Sequence, residues 1–463
     1  LVYQKRMWVL FLCGFFSLGD ASLGCSMIGC DPTSSFDSAT AVPIPSSKAT
    51  LEVVWKQPIT GFSEGPGCVS NSQQILCSGP SFLTQWDGYT GKKIWTVNTS
   101  SSNLPIISTA RRTYVLSSEG MTVFLGCLGP TGQLLWEHVL SAVKPFSPTV
   151  GTNGKLMAVF NNAVFATYDL SGIPDASLDL SQQRSLQANG TELEEALAGC
   201  EQGILDLELG EAASVVPLGT PAVSGSKAWV MAQTPTVTAS ANQLGKLFLI
   251  ETEGSISKRL SVKWETTLQL NSNADTLASA VAGNSFVFAG RKVGCQPAGN
   301  YISGITDGGN LATQLFTMPT PGSAEVVQIM VDPRDGSSSV WAVFNNSCTL
   351  LRINATTGLT LTKLDVCTLL GEVSIQSKIV VARAKLQAAE HVALVFSVFD
   401  SATASSVLAC IDVESSTILW KVGLSEPFYG QISIVGAEQL GRASNNSNLI
   451  VVSTESNVFA FGA

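Results

Sequence analysis

A chain of 463 residues can hold two or three ordinary domains or one large repeat domain. Only 13% of its residues are charged, its net charge is −9 and its Lys and Arg are not clustered, so nucleic acid and anionic membrane surfaces are disfavoured as partners. The 41 glycines, with abundant Ser, Thr and Val, favour β-structure, because turns use glycine and strands use β-branched residues.

The N-terminal segment is typical of an export signal. The basic pair Lys5-Arg6 precedes an apolar run over residues 7–16, and small residues follow the run. This run is too short to span a bilayer comfortably, and no later stretch is long and apolar enough to do so. We therefore predict that residues 1–24 are a signal peptide, and that the protein is secreted, displayed at the cell surface or held in the secretory-pathway lumen.

The same segment leaves a second interpretation open. The sequence "SLGC" at 22–25 resembles a bacterial lipoprotein signal, in which Cys25 would carry a lipid anchor. It departs from that signal at Ser22, where a Leu is usual. A lipid on Cys25 would place the protein in the bacterial periplasm as a lipoprotein.

The mature chain divides into a short leading segment and one long β-rich region. Residues 25–49 are rich in Ser, Thr and Pro, and we expect them to form a disordered linker. From 50 to 463, short apolar runs alternate with turn signals, which is the pattern of a repeated β-structure. An acidic insertion at 181–215 interrupts this pattern, and we interpret it as a solvated loop.

The stretch "DGYTGKKIW", residues 87–95, shows the repeated turn best. Asp87 is expected to accept hydrogen bonds from the backbone ahead of it, Thr90 follows in the turn, and Gly91 can supply the positive φ that the turn needs. Trp95 then offers a large face for packing one sheet against the next. A phosphate-binding loop is excluded, because a Trp precedes Asp87 where that motif requires Gly.

Further copies of the pattern Asp-x-x-Thr-Gly-x-x-x-Trp occur along the chain. Their retained residues are Thr131, Gly132 and Trp136 in "LGPTGQLLW", Thr357 and Gly358 in "NATTGLTLT", and Asp412 and Trp420 in "DVESSTILW". In the second of these copies Asn354 stands in the Asp place.

The spacing of the copies predicts a β-propeller. They recur at intervals of about 40 to 55 residues, which suits one four-stranded sheet per repeat. Eight such modules can be counted, and the last one, ending at residue 463, lacks its outer strand. The segment "TLEVVWKQPI" at 50–59, with Trp55, matches that missing strand and has no partner strands beside it. We therefore predict an all-β fold, an eight-bladed β-propeller of four-stranded antiparallel blades, in which the N-terminal strand completes the last blade.

Two pairs of cysteines lie at matched positions across predicted hairpins. Cys68 and Cys77 are symmetric about one turn, and Cys348 and Cys367 are symmetric about another. Directly opposed positions on paired strands are close enough for a disulfide, and exported proteins form disulfides. We predict both bonds; the alternative is that the four residues are small buried hydrophobic side chains.

The other cysteines of the mature chain are less informative. Cys127 and Cys410 lie in apolar strands and are expected to be buried thiols. Cys200 and Cys295 lie in loop-like segments and could pair with each other. The connectivity of Cys25 and Cys30 stays open.

Five Asn-x-Ser/Thr sequences are candidate N-glycosylation sites. Chance alone gives about four in a chain of this composition, so their number does not establish a eukaryotic secretory origin. In one of them a glycan would compete with the repeated turn. The candidates are Asn98, Asn189, Asn345, Asn354 and Asn445.

No catalytic motif accompanies the repeat. The two histidines, His138 and His391, lie in or beside predicted strands with no local metal or triad motif, and we interpret them as structural. The sequence has no nucleophile elbow, no dinucleotide fingerprint and no complete phosphate loop. We therefore predict no catalytic, cofactor-binding or metal-binding residue and no cofactor.

The repeat resembles that of the pyrroloquinoline-quinone (PQQ) propeller superfamily, Ala-x-Asp-x-x-Thr-Gly-x-x-x-Trp. This resemblance implies an eight-bladed propeller over nearly the whole chain from about residue 50. The superfamily includes quinoprotein alcohol dehydrogenases, and also non-enzymatic members such as the propeller lipoprotein of the bacterial outer-membrane assembly machine and lumenal propellers of the endoplasmic reticulum. Its enzymes hold the quinone between a Trp and a disulfide of two adjacent cysteines, with a calcium or lanthanide ion alongside.

The residues favour the non-enzymatic branch, because this sequence has no two adjacent cysteines. We therefore predict an exported, non-catalytic propeller that acts as a binding or interaction scaffold for a protein, peptide or glycan. Two alternatives stay open: a degenerate quinoprotein-type oxidoreductase using PQQ and Ca²⁺, and a structural protein of the cell surface.

Overall fold

The computed structural model is a ring of eight antiparallel sheets. The residues it describes are 30–31, 37–45, 50–59, 67–71, 74–78, 82–98, 106–107, 112–119, 122–140, 148–151, 155–159, 164–168, 174–179, 216–218, 220–233, 245–252, 260–268, 278–292, 299–334, 336, 338–345, 347–386, 389–428, 430–436 and 448–463. The acidic insertion at 181–215 lies outside these residues.

The first four sheets follow one another along the chain, after two N-terminal strands that join later blades. Those two strands are β1 (Asp37–Ala41) and β2 (Glu52–Pro58). Blade 1 contains β3 (Cys68–Ser70), β4 (Gln74–Ser78), β5 (Phe82–Asp87) and β6 (Lys93–Asn98). Blade 2 contains β7 (Ile106–Ile107), β8 (Thr113–Glu119), β9 (Thr122–Leu128) and β10 (Leu134–Leu140). Blade 3 contains β11 (Thr149–Val150), β12 (Leu156–Val159), β13 (Val164–Tyr168) and β14 (Pro174–Asp179). Blade 4 contains β15 (Val216–Pro217), β16 (Ala222–Ser224), β17 (Lys227–Gln233), β18 (Gly245–Glu251) and β19 (Ser261–Leu268).

The remaining sheets complete the ring. Blade 5 contains β20 (Ser279–Ala282), β21 (Ser285–Lys292), β22 (Gly299–Asp307) and β23 (Ala312–Pro319). Blade 6 contains β24 (Val326–Asp332), β25 (Ser339–Phe344), β26 (Thr349–Asn354) and β27 (Thr360–Asp365), and is followed by a one-turn helix α1 (Val366–Leu370). Blade 7 contains β28 (Val373–Ile375), β29 (Val380–Leu386), β30 (Ala389–Asp400), β31 (Ser405–Asp412) and β32 (Thr417–Leu424). Blade 8 contains β33 (Ser433–Val435), β34 (Leu449–Ser453) and β35 (Asn457–Gly462).

The ring closes as the sequence predicts. β2 pairs antiparallel with β35, with Trp55 opposite Ala460, and the order of this sheet is β2-β35-β34-β33. A strand from the start of the chain is therefore the outer strand of the last blade. The predicted eight-bladed, four-stranded antiparallel propeller is confirmed, and pairing with β2 makes β35 an internal strand of its sheet. In blades 4 and 7 the inner position is shared by two strands, β15 with β16 and β28 with β29.

The leading segment departs from the expectation of disorder over Asp37–Ala41. These residues form β1, which lies parallel to β29, the inner strand of blade 7. Composition suggests disorder here because Ser, Thr and Pro offer little apolar area to bury. The backbone nevertheless finds a partner in the sheet edge of a distant part of the chain, which a local pattern does not reveal.

The core lies between the blades rather than in one centre. Side chains from blade 8 and blade 1, such as Trp55, Val451, Cys68 and Trp86, form one hydrophobic cluster. Blades 6 and 7 share another cluster that contains the fully buried Trp341. Inner strands such as β25 and β34 are buried on both faces between neighbouring blades, so they are apolar runs rather than alternating patterns, whereas outer strands such as β6 have exposed residues.

The repeated turn forms as expected at Asp87. Its Oδ1 accepts from the backbone N–H groups of Tyr89 and Thr90 at 3.2 and 2.8 Å, and from the Thr90 hydroxyl at 2.8 Å. Gly91 donates its N–H to the Asp87 carbonyl at 3.0 Å and has φ +63°. An L side chain would be strained in that conformation, which explains the glycine.

In several blades the large aromatic side chain of the outer strand packs on the turn of the next blade. A Cβ added to Gly91 would lie 2.6 Å from the ring of Trp55, and one added to Gly132 would lie 2.9 Å from Trp95. Trp55 also donates from Nε1 to the carbonyl of Gly88 at 3.0 Å. The absence of a side chain on the turn glycine therefore allows the ring of one blade to rest directly on the backbone of the next.

The same contact survives where the sequence pattern has eroded. A Cβ on Gly358 of blade 6 would lie 2.6 Å from Phe316, which replaces the Trp in blade 5. Trp264 of blade 4 donates from Nε1 to the Asp307 carboxylate in the turn of blade 5 at 3.0 Å. These contacts link consecutive blades around the ring.

We expect the substitution Trp95→Ala to lower the free energy of unfolding by about 3–5 kcal/mol, because it removes the ring that fills the space above Gly132. Trp95 is only 7% exposed. Urea unfolding followed by circular dichroism measures this loss. The neighbouring substitution Ile94→Ala, at a side chain that is 43% exposed, should cost less than about 1 kcal/mol. Equal losses for the two variants would contradict this packing role.

Candidate functional site

The other predicted turns use substitutes for the Asp-Thr-Gly residues. In blade 6 Asn354 replaces the aspartate as the hydrogen-bond acceptor of the turn. Its Oδ1 accepts from Thr356 N, Thr357 N and the Thr357 hydroxyl at 3.0, 2.9 and 3.1 Å. In blade 2, where Leu128 stands in the Asp place, the Gln133 side chain accepts from Thr131 N at 3.0 Å instead. The turn is therefore maintained by more than one side-chain chemistry.

Trp136 and Trp420 occupy different surroundings from Trp95. Trp136 lies in an aromatic row, with ring centroids 5.9 Å from Tyr114 and 5.4 Å from His138, and His138 stacks on Tyr168 of blade 3 at 5.5 Å. Trp420 is fully buried between blades 7 and 8. Both side chains contribute to packing between blades, and His138 is part of the same packing.

Both predicted disulfides form, although only Cys68 and Cys77 are directly opposed on paired strands; Cys348 precedes β26 and Cys367 lies in α1. Cys68–Cys77 and Cys348–Cys367 are disulfides in the structure. Cys127 and Cys410 are buried free thiols, as expected, and burial raises the pKa of Cys127 to about 11.

Cys30 is disulfide-bonded and buried. Cys25, Cys200 and Cys295 lie outside the described residues.

The candidate glycosylation sites differ in accessibility. Asn98 is exposed at the end of β6, and Asn345 is exposed after β25. The side-chain oxygen Oδ1 of Asn354 accepts the hydrogen bonds of its turn. Asn189 and Asn445 lie outside the described residues.

A buried carboxylate organises the junction of blades 6 and 7. Asp332, at the end of β24, is 0% exposed and accepts from Arg334 Nε at 2.9 Å, Arg352 Nε at 2.9 Å and Trp341 Nε1 at 2.9 Å. Burial opposes ionisation, but the hydrogen bonds and charge of Arg334, with the charge of Arg352, outweigh it, and the pKa of Asp332 lies below its ordinary value. The sequence pattern does not predict this group, because its local signal is limited to the turn "VDPRDG".

The guanidinium of Arg334 carries this network across to blade 7. Its Nη1 lies 3.5 Å from Glu414 Oε1. His391 Nδ1 is 3.1 Å from Asp412 Oδ2 and 3.7 Å from Glu414 Oε2. Burial and the Asp412 carboxylate raise the pKa of Glu414. Burial also opposes ionisation of Asp412, but the hydrogen bonds it accepts lower its pKa.

Among the described residues, His391, Asp412 and Glu414 are close enough to share a metal ion, with ligand atoms within 4.8 Å of one another. Asp412 already accepts from the backbone of Glu414 and Ser415, and Glu414 accepts from Val392 N at 3.1 Å. Arg334 supplies positive charge beside Glu414. These contacts match an ion-pair network that joins two blades, and they leave the carboxylates little unsatisfied capacity for a cation.

A second candidate site is the axial edge of blade 7, where β1 lies. Val42 N donates to Arg383 O at 2.7 Å, and Asn448 Nδ2 of blade 8 donates to Ala41 O at 2.6 Å. β1 also lies against β24 and β33, the inner strands of the blades on either side. The inner face of the ring therefore can hold an extended segment of polypeptide.

A third candidate is the set of exposed aliphatic side chains on the outermost strands of blades 8, 1 and 2, which we call the aliphatic rim. The residue directly before the Trp of each strand is exposed: Val54 is 51%, Ile94 43% and Leu135 45% exposed. Further exposed members are Val53, Leu134 and Val139. Clusters of exposed aliphatic side chains on a folded protein mark interaction surfaces.

Comparison with known proteins supports the architecture. Residues 45–186 match a family model described as "Outer membrane protein assembly factor BamB". No curated protein sequence matches the chain. The structure is similar to a europium-containing methanol dehydrogenase, with a TM-score of 0.59 and 8% identity over 96% of this chain and 98% of that one.

Two further solved structures share the fold. The quinohemoprotein alcohol dehydrogenase ADHIIG from Pseudomonas putida HK5 has a TM-score of 0.58 and 8% identity, covering 96% of this chain and 81% of that one. The Dos1 propeller has a TM-score of 0.51 and 9% identity, covering 89% of this chain and 94% of that one. The predicted resemblance to the PQQ-like propeller superfamily is confirmed by the family model over residues 45–186, and the solved structures share the propeller fold.

The residues present do not fit the quinone of the superfamily's enzymes. The chain has no two adjacent cysteines, and the disulfides Cys68–Cys77 and Cys348–Cys367 join residues 9 and 19 apart instead. The axial side of blade 7 is filled by Asp37–Ala41. The part of the chain that the structure describes contains no helix long and apolar enough to cross a membrane.

We expect Arg334→Met to lower the free energy of unfolding at pH 7 by about 2–3 kcal/mol. The buried Asp332 carboxylate would lose the hydrogen bonds and the positive charge of Arg334. The lowered pKa of Asp332 means that its ion pairs stabilise the fold above its unfolded pKa of about 4, and that this stabilisation is lost as the pH falls. The difference between the variant and the wild type should therefore shrink at about pH 3.

Urea unfolding at the two pH values measures this difference. Arg291→Met, at an exposed arginine on β21, is the control and should change stability little at either pH. A loss for Arg334→Met that is the same at both pH values would contradict the role assigned to Asp332.

Proposed function

We propose that this chain is an exported, non-catalytic β-propeller that binds a protein partner through the aliphatic rim. The observation that carries the proposal is the exposure of Val54, Ile94 and Leu135 at equivalent positions on three consecutive blades. These strands are the outer edges of their sheets, so their backbone groups are also available for pairing with an added strand. A protein partner can use both features at once, which a glycan cannot.

Two other observations support the proposal. The disulfides Cys68–Cys77 and Cys348–Cys367 are typical of an oxidising compartment, in agreement with the signal-like start of the sequence. The family model of an outer-membrane protein assembly factor covers residues 45–186, which include β2 and blades 1 and 2. The match therefore falls on the part of the ring that carries the rim.

The rim can be tested by site-specific cross-linking. A photo-reactive phenylalanine analogue in place of Ile94 or Leu135 should cross-link to a discrete protein in an extract of the producing cells. The same analogue in place of Lys363, exposed on the outer strand of blade 6, is the positional control and should give no such product. A blank at both rim positions, or the same product at all three, would overturn the assignment of the rim.

A matched pair of variants tests the apolar character of the surface. The double substitution Ile94→Asp and Leu135→Asp should abolish the cross-link formed from a probe at Val54, because it places charge in an apolar interface. Leu361→Asp, at the equivalent position of blade 6 with 45% exposure, should leave that cross-link unchanged. Unfolding curves of all variants verify that the ring is intact.

The quinoprotein alternative has its own test. The fold neighbours include two alcohol-oxidising enzymes, and the superfamily resemblance implies PQQ with Ca²⁺. We expect the purified chain, incubated with both, to retain no quinone absorbance after gel filtration and to show no alcohol-dependent reduction of a dye. Retained absorbance together with dye reduction would establish the alternative. A structural surface protein would instead be insoluble and abundant in surface preparations.

A further inference from the structure

The strand β1 is not part of the propeller repeat. It adds to β29 in parallel, whereas β29 pairs antiparallel with β30 on its other side. It lies on the axial side of three consecutive blades, against β24, β29 and β33. A propeller otherwise has a channel at this place. The chain therefore puts an extended segment of itself into its own channel.

The wall of the channel holds the segment through its backbone and through alternate side chains. Both Val42 N and Ala41 O are hydrogen-bonded to the wall, as described above. The alternate residues Ser38, Thr40 and Val42 are only 1%, 4% and 4% exposed. In strand addition, backbone bonds hold the added strand and alternate side chains decide which sequences fit. These contacts are of that kind.

The segment fits this wall imperfectly. Its register against β29 shifts between Asp37 and Ala41. The hydroxyl of Ser38 is buried without a hydrogen-bond partner among the described residues, and the hydroxyl of Thr40 bonds only within the segment, to Ser38 O at 3.1 Å. A buried hydroxyl that the wall does not satisfy weakens binding.

Attachment at both ends explains why such a segment stays in place. On one side the chain continues into β2, the outer strand of blade 8. On the other side Cys30 is buried in the hydrophobic cluster that contains Trp420. A short tether gives an effective concentration on the order of millimolar at the wall, so modest intrinsic affinity is enough.

We propose that the axial edge of β29 is a binding site for an extended segment of another polypeptide with small or β-branched residues at alternate positions. Residues 37–45 of this chain are its tethered occupant, and the partner's segment displaces them. The inference rests on the proposed binding function and adds a second, axial contact to the rim.

Thiol labelling tests whether the segment leaves the wall without unfolding of the ring. In the variant Ser38→Cys, residue 38 should react with a maleimide at least tenfold faster than Cys410, a free thiol that is 0% exposed in the same chain. Excess synthetic peptide of residues 37–45 should accelerate labelling further, because it occupies the vacated wall. Equal rates for residue 38 and Cys410 would show that the segment leaves only on global unfolding and would overturn the proposal.

Direct binding tests the site itself. Val42→Pro removes the N–H that donates to Arg383 O and leaves the wall unchanged. A fluorescent peptide of residues 37–45 should bind this variant at least tenfold more tightly than the wild type, and adding Asn448→Ala should weaken the binding again. A peptide with Lys at the places of Ser38 and Thr40 is the control. Failure of the folded Val42→Pro variant to bind, or equal binding of the Lys peptide, would overturn the proposal.

The two sites can be separated experimentally. Ile94→Asp with Leu135→Asp should leave binding of the peptide to the Val42→Pro variant unchanged. If rim cross-linking succeeds and both axial experiments fail, the axial inference is wrong and the proposed function stands. If rim cross-linking fails and the peptide binds, the proposed rim is wrong and the axial site stands.

Discussion

The ring depends on one recurring contact, in which the aromatic side chain of an outer strand lies on the turn of the next blade. Trp55 on Gly91, Trp95 on Gly132, and Phe316 with its glycine partner in blade 6 are instances of it. A four-stranded sheet cannot bury both of its faces alone, so the stability of each blade comes from its neighbours. The contact also sets how closely successive blades approach, because a side chain on the turn would hold them apart.

The seam between blades 7 and 8 departs from this rule for a topological reason. Trp420 of blade 7 has no repeated turn to rest on, because β35 and β2 of blade 8 come from opposite ends of the described chain. The N-terminal residues Cys30, Val42 and Leu51 lie instead in the hydrophobic cluster that contains Trp420. The N-terminal segment thus contributes to the seam at two places, as β1 near the axis and as β2 at the periphery.

Much of the architecture follows from local pattern, whereas the candidate sites follow from it only in part. The sequence predicts the turn residues, the closure by β2 and both hairpin disulfides. Each of these depends on residues that are near one another in sequence or on a repeated motif. Asp332 and its partners were missed, since Arg334 reaches Glu414 of the next blade, a residue 80 positions away. The aliphatic rim was also not predicted. From sequence alone an apolar residue next to a Trp is expected to be buried, and only the tertiary structure shows that no neighbouring blade covers it.

The amino-acid sequence alone determined the repeat, the number of blades and the way the ring closes, because hairpin turns and strand periodicity are local properties that survive loss of individual motif residues. The tertiary structure decided what lies in the channel and which apolar side chains stay exposed. Asp37–Ala41 has the composition of a linker, and its strand exists only because β29 offers an unpaired edge to it. Such pairing depends on which distant elements the fold brings together, and local composition does not predict this.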